Sequence, residues 1–251
     1  MSPGVSADPA GPGGGAERRD EIAANLASVE ERIAAACADA GRDRAELTLV
    51  AVTKTFPAED VAHLAALGVR DVGENRDQEA AAKVTACRDA GVGELVWHFV
   101  GQLQRNKAGS VATYADVVHS VDRLRLVGTL DRAAVTAGRR LTALVQVDLR
   151  DEPEDDGRGG AAPADVAELA AAVAAADRLV LGGVMAVAPV DADPDVAFAR
   201  LADVRESFVR DHPEATKLSA GMSGDLEAAV RHGATHVRVG SAVLGERRRN
   251  E

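Results

Sequence analysis

Aromatic residues are scarce in this chain of 251 residues, which has one Trp, one Tyr and four Phe. The core must therefore consist mainly of Val, Leu, Ile and Ala, and such small side chains require closely approaching helices and strands. Cysteine is nearly absent as well. Cys37 and Cys87 lie in alanine-rich helical patterns with neither CxxC spacing nor a His/Cys cluster. We expect both to be buried as small apolar side chains.

Long apolar runs and long basic runs are also missing. No stretch approaches the roughly 18 to 20 apolar residues that cross a bilayer, and the N-terminus lacks the basic and apolar segments of a signal peptide. The 29 basic residues are outnumbered by 40 acidic ones, and the longest basic run is 247–249. The composition predicts a soluble cytoplasmic protein with no nucleic-acid partner and no membrane partner.

The first part of the chain divides into a tail and a helix. Residues 1–16 form a Gly-, Pro- and Ala-rich tract with little to bury, so we expect a disordered tail. An amphipathic helix is predicted over Glu17–Ala40, because apolar residues recur every three or four positions from Ile22 to Ile33.

From residue 47 onward, short β-branched runs alternate with helical patterns. The predicted strands are Leu47–Thr53, Val69–Gly73, Leu95–Val100, Asp116–His119, Leu141–Leu149, Leu179–Met185, Thr216–Ser219 and Thr235–Val239. The predicted helices between them are Pro57–Leu67, Arg76–Ala90, Gln104–Tyr114, Arg123–Ala137, Pro163–Ala176, Pro194–Arg210 and Ser223–Arg231. Eight such units in about 200 residues fit an α/β protein with a single (β/α)8 TIM-type barrel domain over residues 17–251 and an extra N-terminal helix. A doubly wound open sheet is the alternative, but no GxGxxG sequence follows the first strand.

One long irregular stretch, Arg150–Ala162, follows the fifth strand and is acidic and glycine-rich. We expect a mobile loop at the carboxyl-terminal face of the barrel. It is either a lid over a site or a solvated insertion.

Polar residues concentrate at the carboxyl ends of the predicted strands, where barrel active sites are built. Lys54 ends the apolar first strand. Its amine is either desolvated and suited to forming an imine with a carbonyl group, or paired with Glu74 or Asp148 in an ion pair.

A second candidate is the sequence SAGMSGDLEAAV, in which a Gly/Ser turn opens a helix after the seventh strand. Backbone N–H groups and Ser hydroxyls at such a turn suit a phosphate group, and barrels commonly hold phosphate after strands seven and eight. The alternative is a capped turn with Ser223 as the N-cap and Asp225 supporting the helix dipole. Gly240 and Ser241 in the adjacent loop favour the phosphate site.

Arg238 lies between two valines of the eighth strand, so alternation directs it to the opposite face. Inside a barrel it needs a partner, which is either an acceptor nitrogen or anion of a ligand, or a carboxylate such as Asp148. His98 is more typical of a hydrogen-bonded structural residue, and no His/Asp/Glu set has metal-ligand spacing. The lysine, phosphate cradle and arginine together describe a site for a phosphorylated aldehyde such as pyridoxal 5'-phosphate (PLP).

Seven sequence blocks together resemble the pyridoxal phosphate homeostasis protein family. They are LVAVTKTFP, VGENRDQE, WHFVGQLQRNK, SVDRL, GGVMAVAP, SAGMSGDLEAAV and HVRVGSAVLGER, in family order over residues 49–247. The resemblance implies a monomeric barrel like the N-terminal domain of alanine racemase. It also implies an intracellular PLP carrier or buffer without established turnover, with PLP-dependent apoenzymes as recipients.

The motifs of the family assign the cofactor-binding residues. By resemblance, Lys54 forms the internal aldimine, Asn75 lies near the ring and Arg238 faces the pyridine nitrogen. The residues placed around the phosphate are Ser219, Gly221, Met222, Ser223, Gly240 and Ser241. The chain departs from the family pattern at Arg76, where Tyr is common, at Ala220, where Met is common, and in the loop 157–160.

The same residues favour a carrier over a catalyst. An arginine at the ring nitrogen disfavours protonation there and makes the ring a weaker electron sink. A racemase of this type needs a second base, and Tyr114, the only tyrosine, precedes the fourth strand. We therefore predict a PLP-binding protein without catalytic residues or robust catalysis. A PLP-dependent amino-acid racemase is the alternative, followed by a cofactor-free aldolase that uses a lysine imine.

Overall fold

The computed structural model describes residues 14–150 and 159–246. Within these ranges, eight parallel strands close into a barrel in chain order, and β8 pairs with β1. The strands are β1 Thr48–Val52, β2 Asp71–Glu74, β3 Val96–Phe99, β4 Val117–Val121, β5 Leu141–Gln146, β6 Leu179–Met185, β7 Lys217–Ser219 and β8 His236–Val239. The predicted (β/α)8 barrel is confirmed.

The helices surround the barrel. They are α1 Gly14–Asp39, α2 Ala58–Ala66, α3 Asp77–Asp89, α4 Ala108–Tyr114, α5 Leu124–Ala137, α6 Val166–Ala174, α7 Pro194–Asp211, α8 Leu226–Arg231 and α9 Ser241–Leu244. Short 3-10 helices precede β1, α4 and α6. The sequence patterns predicted α1 to α8 within a few residues, but they did not predict α9.

The extra N-terminal helix α1 packs against α2, α8 and α9. Its apolar stripe, including Ile22 and Ile33, is buried, and Arg18 binds both Asp60 of α2 and the carbonyl group of Leu244. The helix begins at Gly14, three residues before the predicted start. Residues 1–13 of the predicted tail and residues 151–158 of the predicted loop lie outside the described residues.

The core is formed mainly by Val, Leu and Ala side chains, as the composition predicts. Cys37 and Cys87 are both buried and free, which confirms their predicted role as small apolar side chains. The close approach of β6 and β7 depends on Gly183, because a Cβ atom there would overlap the backbone of Lys217. Among the described residues, no helix is long and apolar enough to span a membrane.

Parallel closure places the carboxyl ends of all strands at one face of the barrel. The nine predicted cofactor residues come from β7, β8 and the segments that follow β1, β2, β7 and β8. The order β7, β8, β1, β2 is continuous around the barrel, so these elements form one arc of it.

Candidate functional site

Lys54 lies half-buried in the turn that follows β1. Within the described part of the chain, its side chain has no hydrogen bond and no ion pair. Glu74 pairs instead with Lys83, at 2.6 Å, and Asp148 pairs with Arg150, also at 2.6 Å. The alternative that Lys54 is held by Glu74 or Asp148 is therefore wrong. The amine is available to a ligand.

A buried network fixes the backbone before Lys54. The Nζ atom of Lys83 donates to the carbonyl oxygen of Thr53 at 2.7 Å and to the Oε1 atom of Glu74 at 2.6 Å. The hydroxyl of Thr53 donates to the same Glu74 oxygen at 2.5 Å. Burial raises the pKa of the Glu74 carboxyl, and the ammonium of Lys83 opposes that rise. Lys83 of α3 thus holds the end of β1 through its bond to the Thr53 carbonyl and the end of β2 through its charge pair with Glu74.

The backbone after Lys54 is fixed as well. Thr55 has a φ of 71°, in the left-handed region that a β-branched residue rarely adopts. Its N–H group donates to the Oε1 atom of Glu79 in α3. Both neighbours of Lys54 are therefore anchored to α3, while the side chain of Lys54 has no partner among the described residues.

Asn75 follows β2 and packs directly against the loop after β3. A Cβ atom at Gly101 would overlap both the carbonyl oxygen and the Oδ1 atom of Asn75, so only glycine fits there. Asn75 lines a cavity of about 230 Å³ together with Gln102, Gln146 and Met185. This cavity lies at the carboxyl-terminal face of the barrel, beside the described end of the irregular loop.

The loop between β7 and α8 is shaped by Gly221, which has a φ of +92°. A Cβ atom there would lie 2.6 Å from the Cβ atom of Ala229. The backbone N–H of Arg238 donates to the carbonyl of Gly221 at 2.9 Å, which ties this loop to β8. The Oδ1 atom of Asp225 accepts from the N–H of Met222 at 2.6 Å.

The N-cap of α8 is Asp225 rather than Ser223. The alternative interpretation of this sequence as a helix capped by Ser223 is therefore wrong. The backbone N–H groups of Ser223 and Gly224 have no acceptor in the described ranges, and neither do those of Ser241 and Ala242 at the start of α9. Four unpaired donors thus lie on the loops after two adjacent strands, which suits an anion.

Arg238 is buried inside the barrel, at 5% exposure. Its Nη1 atom donates to the Oγ atom of Ser219 at 2.6 Å, and its Nη2 atom donates to the carbonyl of Ala186 at 3.0 Å. Burial lowers the pKa of the guanidinium to about 10. No ion pair joins it to a described carboxylate, so the alternative that Asp148 is its partner is wrong.

Ser219 connects Arg238 to three further polar residues in the barrel interior. Its Oγ atom lies 2.9 Å from the Nδ1 atom of His119, whose Nε2 atom lies 2.8 Å from Nδ1 of His98. The Nε2 atom of His98 lies 2.9 Å from Oδ1 of Asp71. The predicted structural role of His98 is confirmed by these bonds. No motif in the sequence predicts a role for His119 or Asp71, although polar residues within strands are a usable signal.

Sequence comparisons show the family of this chain. The family model for the N-terminal domain of alanine racemase matches residues 20–248. A relative named pyridoxal phosphate homeostasis protein from Mycobacterium tuberculosis is 46% identical over 245 residues, covering 92% of this chain and 95% of the relative. This chain belongs to the pyridoxal phosphate homeostasis protein family. Another family member, from Escherichia coli K12, is 38% identical over 231 residues. The match covers 91% of this chain and 97% of that relative.

Solved structures show the same fold. PipY of Synechococcus elongatus with PLP bound has a TM-score of 0.76 and 32% identity. The match covers 89% of this chain and 100% of PipY. A protein of unknown function from Bifidobacterium adolescentis has a TM-score of 0.82 and 31% identity, covering 90% of this chain and 96% of that one. A D-threonine aldolase from Filomicrobium marinum, at 23% identity and a TM-score of 0.70, shares the fold over 60% of its length.

Proposed function

We propose that this protein binds PLP as an imine of Lys54 and acts as a cytoplasmic, monomeric carrier or buffer of the cofactor. PLP-dependent apoenzymes are the proposed recipients. The observation that carries the proposal is the half-buried, unpartnered amine of Lys54 in a turn anchored on both sides. The names of the relatives and the PLP-bound state of PipY support the same ligand.

The residues of the site fit the chemical groups of PLP. The amine nitrogen of Lys54 attacks the aldehyde carbon, and a water molecule leaves as the imine forms. The unpaired N–H groups and the hydroxyls of Ser223 and Ser241 suit the phosphate. The hydroxyl of Ser219 is already bonded within the barrel, so we assign it to the support of Arg238 rather than to direct phosphate contact.

Two further observations support a carrier rather than a catalyst. Arg238 can only donate hydrogen bonds, so at the ring nitrogen it favours the unprotonated, weakly electron-withdrawing ring. Tyr114 is buried, and its hydroxyl has no hydrogen-bond partner among the described residues. Burial raises the pKa of that hydroxyl, which makes it a poor base at neutral pH. Tyr114 is therefore a poor candidate for the second base that a racemase needs.

The test is spectroscopic. Protein incubated with PLP is expected to absorb in the visible range, to lose this band on borohydride reduction and to carry a pyridoxyl-phosphate label on the Lys54 peptide. Lys54→Met should abolish the label. Lys217→Met is the matched control, because Lys217 is a half-buried lysine at the opposite end of the barrel, and it should keep the label.

Two outcomes would contradict the proposal. A label on another lysine, or none in the wild-type protein, would overturn the assignment of Lys54. Rapid interconversion of amino-acid enantiomers by the PLP-loaded wild-type protein, lost in Lys54→Met, would favour the racemase alternative over the carrier.

A further inference from the structure

Five polar side chains form a continuous hydrogen-bonded line through the barrel interior. It runs from Asp71, the first residue of β2, through His98 of β3 and His119 of β4 to Ser219 at the end of β7 and Arg238 of β8. Its four contacts measure between 2.6 and 2.9 Å. We call this line the interior chain.

The two ends of the interior chain determine its direction. Arg238 can only donate, so Ser219 must accept from it. At the other end the carboxylate of Asp71 can only accept, so His98 must donate from Nε2. Because a neutral imidazole has one donor and one acceptor, the Nδ1 atom of a neutral His98 then accepts from His119.

The middle of the chain follows from the same rule. His119 donates from Nε2, so its Nδ1 atom accepts the hydroxyl proton of Ser219. Burial lowers the pKa of His119 well below its ordinary value, which keeps this ring neutral. With His98 neutral as well, each donor has an acceptor, and all four hydrogen bonds point from Arg238 towards Asp71.

We infer that Asp71, His98 and His119 are positioning residues for Arg238, which through Ser219 fix how the guanidinium faces the ring of bound PLP. With the Ser219 proton committed to His119, the Ser219 lone pairs face Arg238. The carbonyl of Ala186 accepts from the other terminal nitrogen. Three of the five guanidinium N–H groups have no acceptor among the described residues and are left for a ligand. This inference rests on the proposed PLP site.

The first test reads the tautomers without relying on PLP. Nitrogen-15 NMR of the full chain before PLP is added should show His98 and His119 neutral, with the proton on Nε2 in both. A doubly protonated His98 would have to donate from Nδ1 to the Nε2 atom of His119. His119 would then be the other tautomer, with its proton on Nδ1. That result would overturn the inference.

The second test measures the PLP-loaded protein. In His119→Leu the Ser219 hydroxyl loses its acceptor, so we expect a shifted visible absorption band and about fivefold faster loss of PLP, as one lost hydrogen bond predicts. His119→Asn retains a side-chain acceptor beside Ser219 and should restore most of the wild-type spectrum. A shift in the leucine variant with recovery in the asparagine variant separates positioning from a general loss of packing.

His236 provides the matched control. It is a buried barrel histidine whose ring centroid lies 6.3 Å from that of His98, but its Nδ1 atom bonds to Thr235 and not to the interior chain. His236→Asn should leave the spectrum of bound PLP unchanged. A shift equal to that of His119→Leu would show that any buried histidine matters and would contradict the inference.

A second variant covers the case in which His119→Leu fails to fold. Asp71 has a side chain that is 25% exposed, so Asp71→Ala should be tolerated and should shift the band in the same direction by less. If the variants of the interior chain all leave the spectrum unchanged, with PLP still bound to Lys54, the positioning role alone is overturned. Wild-type protein that binds no PLP would overturn the proposed function and this inference together.

Discussion

Lys54 and Arg238 come from the adjacent strands β1 and β8, yet the protein supports these two cations in different ways. The side chain of Lys54 has no partner in the described ranges, and only the backbone around it is anchored, by Lys83 and Glu79 of α3. The side chain of Arg238 is itself buried and bonded to Ser219 and a backbone carbonyl. We call these the lysine side and the arginine side of the site.

The difference follows from what each cation is proposed to do. A lysine that forms a covalent bond must keep its amine free and able to lose a proton, so it can be positioned only through the backbone. An arginine that orients a ring works best when its guanidinium is fixed. The lysine side therefore depends on a buried charge pair, and the arginine side depends on hydrogen-bonded histidines.

The largest expected effect tests the charge pair of the lysine side. Lys83→Met leaves the carboxylate of Glu74 buried without its ammonium, so the free energy of unfolding should fall by about 3 to 5 kcal/mol. Urea denaturation measures this loss. Arg210→Met is the control, because its Nη2 atom lies 3.5 Å from Glu206 and both side chains are exposed, so it should cost less than about 1 kcal/mol. An equal loss in the free energy of unfolding for both variants would mean that the Lys83–Glu74 pair does not anchor the lysine side.

A smaller effect tests the packing of Asn75 on the lysine side. Gly101→Ala places a methyl group where Asn75 lies, so it should destabilise the protein by about 1 to 3 kcal/mol and weaken PLP binding. Gly109→Ala is the matched control, since a Cβ atom there meets nothing within 4 Å and the residue lies in α4. It should be neutral or stabilising by up to about 1 kcal/mol. A neutral Gly101→Ala would show that the two loops can separate.

The smallest effect is a pH dependence from His236, a buried histidine of β8 that lies outside the interior chain. Burial lowers the pKa of His236 from 6.5 to about 3, so between these values the unfolded chain binds a proton that the folded chain does not. The free energy of unfolding should therefore fall as pH decreases below 6.5, by at most about 1.4 kcal/mol per pH unit for this group.

The measurement for this prediction is urea denaturation at several pH values between 7.5 and 5, on the order of half a unit apart. His236→Asn should flatten the dependence relative to wild type, because it removes the group whose pKa is lowered on folding. An unchanged slope in His236→Asn would contradict the assignment of this pH dependence to His236.

Much of the site was predictable because its signals are local. Lys54 and Asn75 directly follow strands whose apolar runs can be read from the sequence, and the glycines of the β7 and β8 loops lie in recognisable motifs. The predicted strand Leu141–Leu149 nevertheless extends three residues beyond the observed end at Gln146, since apolar residues continue past the last ladder bond. Helix α9 has four residues, too few to give a periodic pattern.

Partner choice was not predictable in the same way. Glu74 was a plausible partner of Lys54 in sequence, but its carboxylate bonds to Lys83, which lies 9 residues further along the chain in α3. His119 and Ser219 are 100 residues apart and meet only inside the closed barrel. Local periodicity shows which face a strand residue occupies, but it does not show how far along the barrel axis its neighbours lie.

The sequence by itself determined the eightfold alternation of strands and helices, and with it the placement of Lys54, Asn75 and the two glycine loops at one face of the barrel. These features depend on periodicity and on residues near one another in the chain. The tertiary structure alone decided that the Lys54 side chain has no partner among the described residues, that Glu74 pairs with Lys83 and that Arg238 ends the interior chain. Those pairings depend on the relative heights of strands around a closed barrel, which only complete packing determines.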